Sequence, residues 1–175
     1  MTEPILRIEN FSKDFRSQWT FRSIKAVSNI SLEVFEGECF GFLGHNGAGK
    51  TTTIKCILGL IHKTSGEFYL HGKPLRHASQ RVTFGFLPEQ PYFYEHLTVG
   101  ETLDFFASLH NIPSVDRKPK IDHILERVGI ADRKLSPVRT LSKGLQQRLG
   151  FAQAMINGPK FMFLDEPFSG LDPVG

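Results

Sequence analysis

The chain has 175 residues, 40 % of them hydrophobic, and a formal charge of +3 at neutral pH. This predicts a soluble globular domain of one substantial core, and the small charge, with no Lys/Arg cluster interleaved with aromatics, leaves no electrostatic footprint for nucleic acid. The two cysteines, Cys39 and Cys56, sit in apolar contexts that predict buried thiols in a reducing compartment, and no stretch approaches the roughly 20 apolar residues of a spanning helix.

In chain order, residues 5–9 and 30–35 read as strands, the second with Ile30, Leu32 and Val34 on one face. Residues 39–43 follow the Glu36-Gly37-Glu38 turn and are apolar throughout, the pattern of a parallel strand buried on both faces. Next comes Gly44-His45-Asn46-Gly47-Ala48-Gly49-Lys50-Thr51, which fits GxxxxGK[ST] between an apolar run and a helical one. By residue frequencies alone, roughly one chain in 200 of this length matches the pattern by chance, and far fewer match it in strand-to-helix context.

The spacing has a chemical reason. Gly44, Gly47 and Gly49 let successive amides turn inward around phosphates. Lys50 opens a helix over residues 50–60, so that its ammonium and the helix N-terminus both face the β- and γ-phosphates. The Thr51 hydroxyl suits Mg²⁺. Thr52 and Thr53 read as helix-packing residues, and Thr52 stays among the candidate nucleotide contacts. The loop therefore predicts binding of a nucleoside triphosphate.

Residues 66–70 read as a strand entering a His71-Gly72 turn, and residues 82–87 as another, closed by Pro88. Thr98 and Glu101 predict a capping box for a helix to about His110, with Leu103 and Phe106 on its buried side. Residues 114–120, rich in Pro and Lys, read as a connection. Ile121, Ile124, Leu125 and Val128 mark an amphipathic helix stopped by Gly129. Ser142 is the predicted N-cap of a helix over 143–156, and residues 161–164 form an apolar strand ending in Asp165 and Glu166. Ligand groups in parallel α/β sheets gather at the carboxyl ends of strands, so the two acids and the phosphate loop are expected at one sheet edge. There one carboxylate holds Mg²⁺ through water, and its neighbour positions or deprotonates the attacking water. No repeat or low-complexity segment is present.

The phosphate loop at 44–51, Leu141-Ser142-Lys143-Gly144-Leu145-Gln146-Gln147-Arg148, the strand ending in Asp165-Glu166, and Ser169-Gly170-Leu171-Asp172 resemble, in order and spacing, the motifs of ABC ATPases over nearly the whole chain. The resemblance implies an α/β P-loop NTPase fold: a RecA-like core sheet, an N-terminal antiparallel β-subdomain, and a helical signature subdomain at about 90–150, inserted within a partial ABC ATPase domain of residues 1–175. It implies ATP and Mg²⁺ as cofactors. It makes Phe15 the aromatic stacked on adenine, with a core aromatic as the alternative. Ser142 and Gly144 become part of a signature motif facing the γ-phosphate held by a second ATPase subunit, with Asp165 the Walker B aspartate, Glu166 the catalytic base, and 169–172 the D-loop.

Leu-Ser-Lys-Gly-Leu in place of the common Leu-Ser-Gly-Gly-Gln resembles ATPase subunits of bacterial ABC-2 type exporters, which implies a membrane permease as partner and a place on the cytoplasmic face of the membrane. After Phe86-Leu87-Pro88, the position of the family's Q-loop glutamine holds Glu89, with Gln90 one place later, and either is the candidate contact to Mg²⁺ and the permease. Residues 90–111, rich in Phe and Tyr, read as a permease groove or as core of the helical subdomain. A soluble ABC ATPase of nucleic acid or the ribosome, and a binding-only module, are the alternative functions. In the family a further strand and a switch histidine follow the D-loop; this sequence reaches Gly175 before either, so it reads as a truncated ABC domain, and these 175 residues alone are expected to be poorly stable and weak in hydrolysis.

Overall fold

The computed structural model describes residues 3–16 and 23–167. Strand β1 (Leu6–Arg16) buries Leu6, Ile8 and Phe11 and pairs antiparallel with β2 (Ser23–Val34), from Leu6 opposite Val34 to Arg16 opposite Ser23, with the register shifting at irregularities between Ile8 and Asp14. Both strands run well past the short segments expected, through polar residues that the antiparallel ladder accepts at an exposed surface. The helix α1 (Lys50–Ile57) buries Thr53, Ile54, Cys56 and Ile57. Strand β3 (Ser65–Leu70) adds to the other side of β1, and β4 (Lys73–Pro74) to β3, for a sheet order β2-β1-β3-β4. The β3–β4 connection is the predicted two-residue turn. His71 at φ 47° and Gly72 at φ 69° have the paired positive φ of the hairpin turn whose twist matches the strands.

Residues 39–43 depart from the expected doubly buried strand. They form no strand, Leu43 is 97 % and Phe40 40 % exposed, and Cys39 is exposed where a buried thiol was expected. An apolar run becomes a buried strand only when neighbours take up its amides and carbonyls, and among the described residues no strand pairs with it. Phe40 and Phe42 meet each other instead, edge to face at 5.4 Å.

The chain divides into two compact units, Met1–Arg81 and Val82–Gly175. In the second, β5 (Phe84–Leu87) and β6 (Phe161–Leu164) pair in parallel, Phe84 opposite Phe161 and Leu87 opposite Leu164. Helix α2 (Val99–Leu109) carries the predicted capping box in full: Thr98 Oγ1 accepts from the Glu101 amide, and Glu101 Oε2 accepts from the Thr98 amide. Helix α3 (Ser114–Arg127) corrects the expected connection at 114–120, which is the first half of this helix. Pro113 precedes the helix start, and the lysines after it are good helix formers. Pro119 withholds an amide from the carbonyl of Val115, a residue 80 % exposed, so the cost of an internal proline falls at the solvent side.

Helix α4 (Lys143–Met155) starts at Ser142 as predicted. Leu103, Leu125, Ile130, Leu149 and Ile156, each fully buried, join the three helices in one apolar cluster. Each contributes about 1.5–3 kcal/mol by leaving water. Helix α4 also lies close on β5: a Cβ on Gly150 would stand 2.6 Å from Leu87 Cδ1, and one on Gly85 2.4 Å from the Ala154 carbonyl oxygen. Among the described residues no helix is long and apolar enough to cross a membrane.

Candidate functional site

In the first unit the phosphate loop is shaped by backbone that only glycine adopts readily. Gly47 has φ 86° and Gly49 φ 88°, with the Ala48 amide turned back onto the His45 carbonyl at 3.1 Å between them. Gly49 is the N-cap of α1, and a Cβ there would stand 2.6 Å from the Ala26 carbonyl oxygen and 2.7 Å from Val27 Cγ2. Strand β2 thus backs the loop closely enough to exclude any side chain at that position.

Helix α1 begins without a side-chain cap and without an acidic residue in its first turn, so its leading amides point outward with positive partial charge. Lys50 folds over the loop, donating to the Gly44 carbonyl at 2.7 Å and the His45 carbonyl at 3.2 Å. Gly44, His45, Asn46, Gly47 and Ala48 are exposed, and His45 Nδ1 lies 2.8 Å from the Asn46 carbonyl. Thr51 and Thr52 are half-buried. Thr53 is the packing residue expected, buried and donating to the Gly49 carbonyl at 2.8 Å. One turn beyond, burial pushes the Cys56 thiol above its ordinary range, which leaves it a small hydrophobe rather than a nucleophile.

Phe15 stands near the end of β1, paired with Ile24, 42 % exposed, with Lys13 Nζ 4.7 Å from its ring centroid. This exposure removes the core-aromatic reading. Its ring is an accessible flat surface bearing a cation, and Lys13 pairs with Val27, the residue that backs Gly49.

In the second unit, the register of β5 and β6 places Leu87 opposite Leu164. Pro88, Glu89 and Gln90 therefore leave the same end of the strand pair as Asp165 and Glu166. The Asp165 amide donates to the Leu87 carbonyl at 2.9 Å, extending the ladder one step past the strand. The two acids then diverge: Asp165 is buried at 4 % exposure, while Glu166 is exposed and left-handed at φ 49°. Glu89 and Gln90 are both exposed.

At the start of α4, Ser142 is exposed and its hydroxyl accepts from the Leu145 amide at 3.3 Å. Gly144 is half-buried, and no acidic residue lies in the first turn. One residue escaped the sequence reading: Gln147, 3 % exposed, donates through Nε2 to the Pro167 carbonyl at 3.2 Å. The sequence signal was its place in the 141–148 run, which gave it no role of its own. Residues 169–172, the expected D-loop, lie outside the described residues.

Comparison with known proteins follows these motifs. The sequence model of the ABC transporter family matches residues 27–169. An uncharacterised ABC transporter ATP-binding protein of Nostoc sp. is 44 % identical over 99 % of this chain and 53 % of its own length. A Bacillus subtilis protein of the same description is 41 % identical over 100 % of this chain and 54 % of its own. Among solved structures, the ATP-binding subunit of an ABC transporter superposes with a TM-score of 0.81 at 30 % identity, covering 97 % of this chain and 69 % of that one. CbiO1 of Clostridium perfringens, part of the ABC transporter complex cbiONQ, superposes with a TM-score of 0.81 at 27 % identity, over 98 % of this chain and 69 % of its own. The chain spans about half the length of the curated relatives it matches.

Proposed function

This chain belongs to the ABC transporter family, as an ATP-binding domain of the α/β P-loop fold, and from that premise we propose that it binds Mg²⁺-ATP and hydrolyses it to drive export through an ABC-2 type membrane permease. The observation that carries the reading is the phosphate loop: two left-handed glycines, an uncapped helix start with no acid beside it, and Lys50 laid across the loop. That arrangement fits a polyphosphate, since it sets an ammonium and a helix N-terminus at one loop with no carboxylate in the first turn.

In this reading Lys50 and the amides of Gly47, Gly49 and Thr51 hold the β- and γ-phosphates, Ala48 shapes the loop through its amide on the His45 carbonyl, and Phe15 stacks its face on adenine. The donor set also fits Mg²⁺, which takes few protein oxygens and leaves the rest to phosphate and water. Thr51 and Asp165 would hold it, with Glu89 or Gln90 in the Q-loop role, and when bound it would supply charge stabilisation to the phosphates. Glu166 takes a proton from the water that attacks the γ-phosphorus, and Lys50 stabilises the negative charge as the bond to the departing ADP breaks. Ser142 and Gly144 at the start of α4 offer the same kind of anion site to the nucleotide of a second ATPase subunit, so two copies, or this chain and a relative, would close on ATP and part after hydrolysis.

Membrane spans are then supplied by the permease, which places this chain at the cytoplasmic face of the membrane. CbiO1 is part of the ABC transporter complex cbiONQ, which supports a transporter partner here, and the resemblance of Leu-Ser-Lys-Gly-Leu to ABC-2 type exporters is what favours export. The aromatic segment after Gln90 separates into two kinds of residue. Phe93 is buried in the helical cluster, while Tyr92 is 87 % and Tyr94 52 % exposed, Tyr94 lying 5.8 Å from Phe105. Exposed aromatics of this kind anchor partners. In co-purification of the full-length protein with a membrane subunit, Tyr92→Ala/Tyr94→Ala is expected to lower recovery by about 10-fold or more. Equal recovery would remove these side chains from the interface, and failure of wild type to retain any membrane protein would oppose the transporter reading.

A further inference from the structure

Gln147 ties the helix that carries the signature motif to the loop that carries the candidate base. It is one of four buried polar or charged residues among those described, at 3 % exposure. Its Nε2 reaches a carbonyl 20 residues away, that of Pro167, directly after Glu166. Glu166 itself has φ 49°, a conformation uncommon for a residue with a side chain. The proline that follows narrows its backbone choices further. Such a backbone persists only when its surroundings hold it, and the structure shows a tie on either side: the Asp165 amide on the Leu87 carbonyl before it, and Gln147 on the Pro167 carbonyl after it.

We infer that Gln147 is a positioning residue for Glu166, fixing the turn from which the carboxylate reaches the attacking water, and that through it the engagement of Ser142 is felt at the base of the same subunit. The path is short and stiff. Ser142 and Gln147 lie five residues apart on one helix, about 7.5 Å along its axis, and Gly150 presses that helix against Leu87 of β5, the residue whose carbonyl accepts from Asp165. A phosphate that draws the α4 N-terminus toward it moves Gln147 as part of the same rigid element. The pull arrives at Pro167 as a change in the Glu166 turn. Turnover would then depend on signature engagement in two ways: through the charge that the α4 amides offer across the dimer, and through alignment of the subunit's own base.

This inference rests on Glu166 being the base, and the test separates the two. Gln147→Met keeps an unbranched side chain of similar length and removes the donor. In the full-length protein assembled with its partner subunits, kcat for Mg²⁺-ATP is expected to fall about 10- to 100-fold, the loss that follows misplacement of a catalytic group by about 1 Å, with KM for ATP within about two-fold of wild type. In a Glu166→Gln background the same substitution is expected to cause no further loss, because residues acting as a unit are not additive. Gln147→Leu carries the same expectations should the methionine variant fail to fold. An unchanged kcat, or an equal fall with and without Glu166, overturns the positioning role. If Glu166→Gln alone leaves turnover intact, it is the assignment of the base that fails.

Discussion

Glu166→Gln in the full-length protein is expected to reduce ATP turnover by about 10²-fold or more while ATP affinity stays within about two-fold. The substitution keeps the size of the side chain and its hydrogen-bonding ability but removes its capacity to take a proton. Because Glu166 is exposed and Asp165 is buried at 4 % exposure, the change falls on the carboxylate that reaches solvent and leaves the buried one in place. The glutamine inherits the left-handed backbone, since φ 49° is set by the flanking ties. Steady-state phosphate release measured beside equilibrium ATP binding separates the two quantities. Unchanged turnover would take the base role from Glu166, and a parallel loss of binding would make it a ligand rather than a base.

Gly49→Ala is expected to weaken nucleotide binding by about 100-fold or more for want of one methyl's worth of space. At φ 88° an alanine is strained wherever it sits. Here its Cβ would also lie 2.6 Å from the Ala26 carbonyl oxygen, a backbone atom of β2 that cannot rotate away. Either the strand shifts or the loop opens, and in both cases the leading amides of α1 no longer converge. An affinity loss of about 100-fold or more by equilibrium titration, with far-ultraviolet circular dichroism unchanged, is the expected pattern, since a misplacement of about 1 Å in a site built for convergence has an effect of that order. Wild-type affinity in Gly49→Ala would mean that the loop does not hold the phosphates in this geometry.

What the sequence announced well was local. The Thr98–Glu101 capping box, the Ser142 cap and the His71-Gly72 turn are each written within four residues, and each forms as expected. The phosphate loop likewise carries its own conformation in its glycines. What stayed hidden depends on residues far away in the chain. Residues 39–43 have the composition of a buried strand, but burial requires neighbouring strands, which composition does not supply. Residues 114–120 looked like a connection because Pro119 and the lysines outweighed a periodicity that begins only at Ile121. Arg117, in the first half of α3, donates to the Ile112 carbonyl at 2.7 Å and pairs with Asp104 of α2 at 3.6 Å, contacts that tie this half of the helix to its neighbours. The role of Gln147 was not legible because its partner, the Pro167 carbonyl, becomes a neighbour only when α4 lies on the strand pair. Phe15 was ambiguous for the same reason: only the β1–β2 register shows that its ring faces outward.

The most direct measurement is an equilibrium titration of the purified full-length protein with labelled ATP in the presence of Mg²⁺, run beside Lys50→Ala. The account predicts saturable binding of one nucleotide per chain, displaced by ADP and lost when Lys50 is removed. No saturable binding at millimolar ATP, or equal binding by Lys50→Ala, would contradict it.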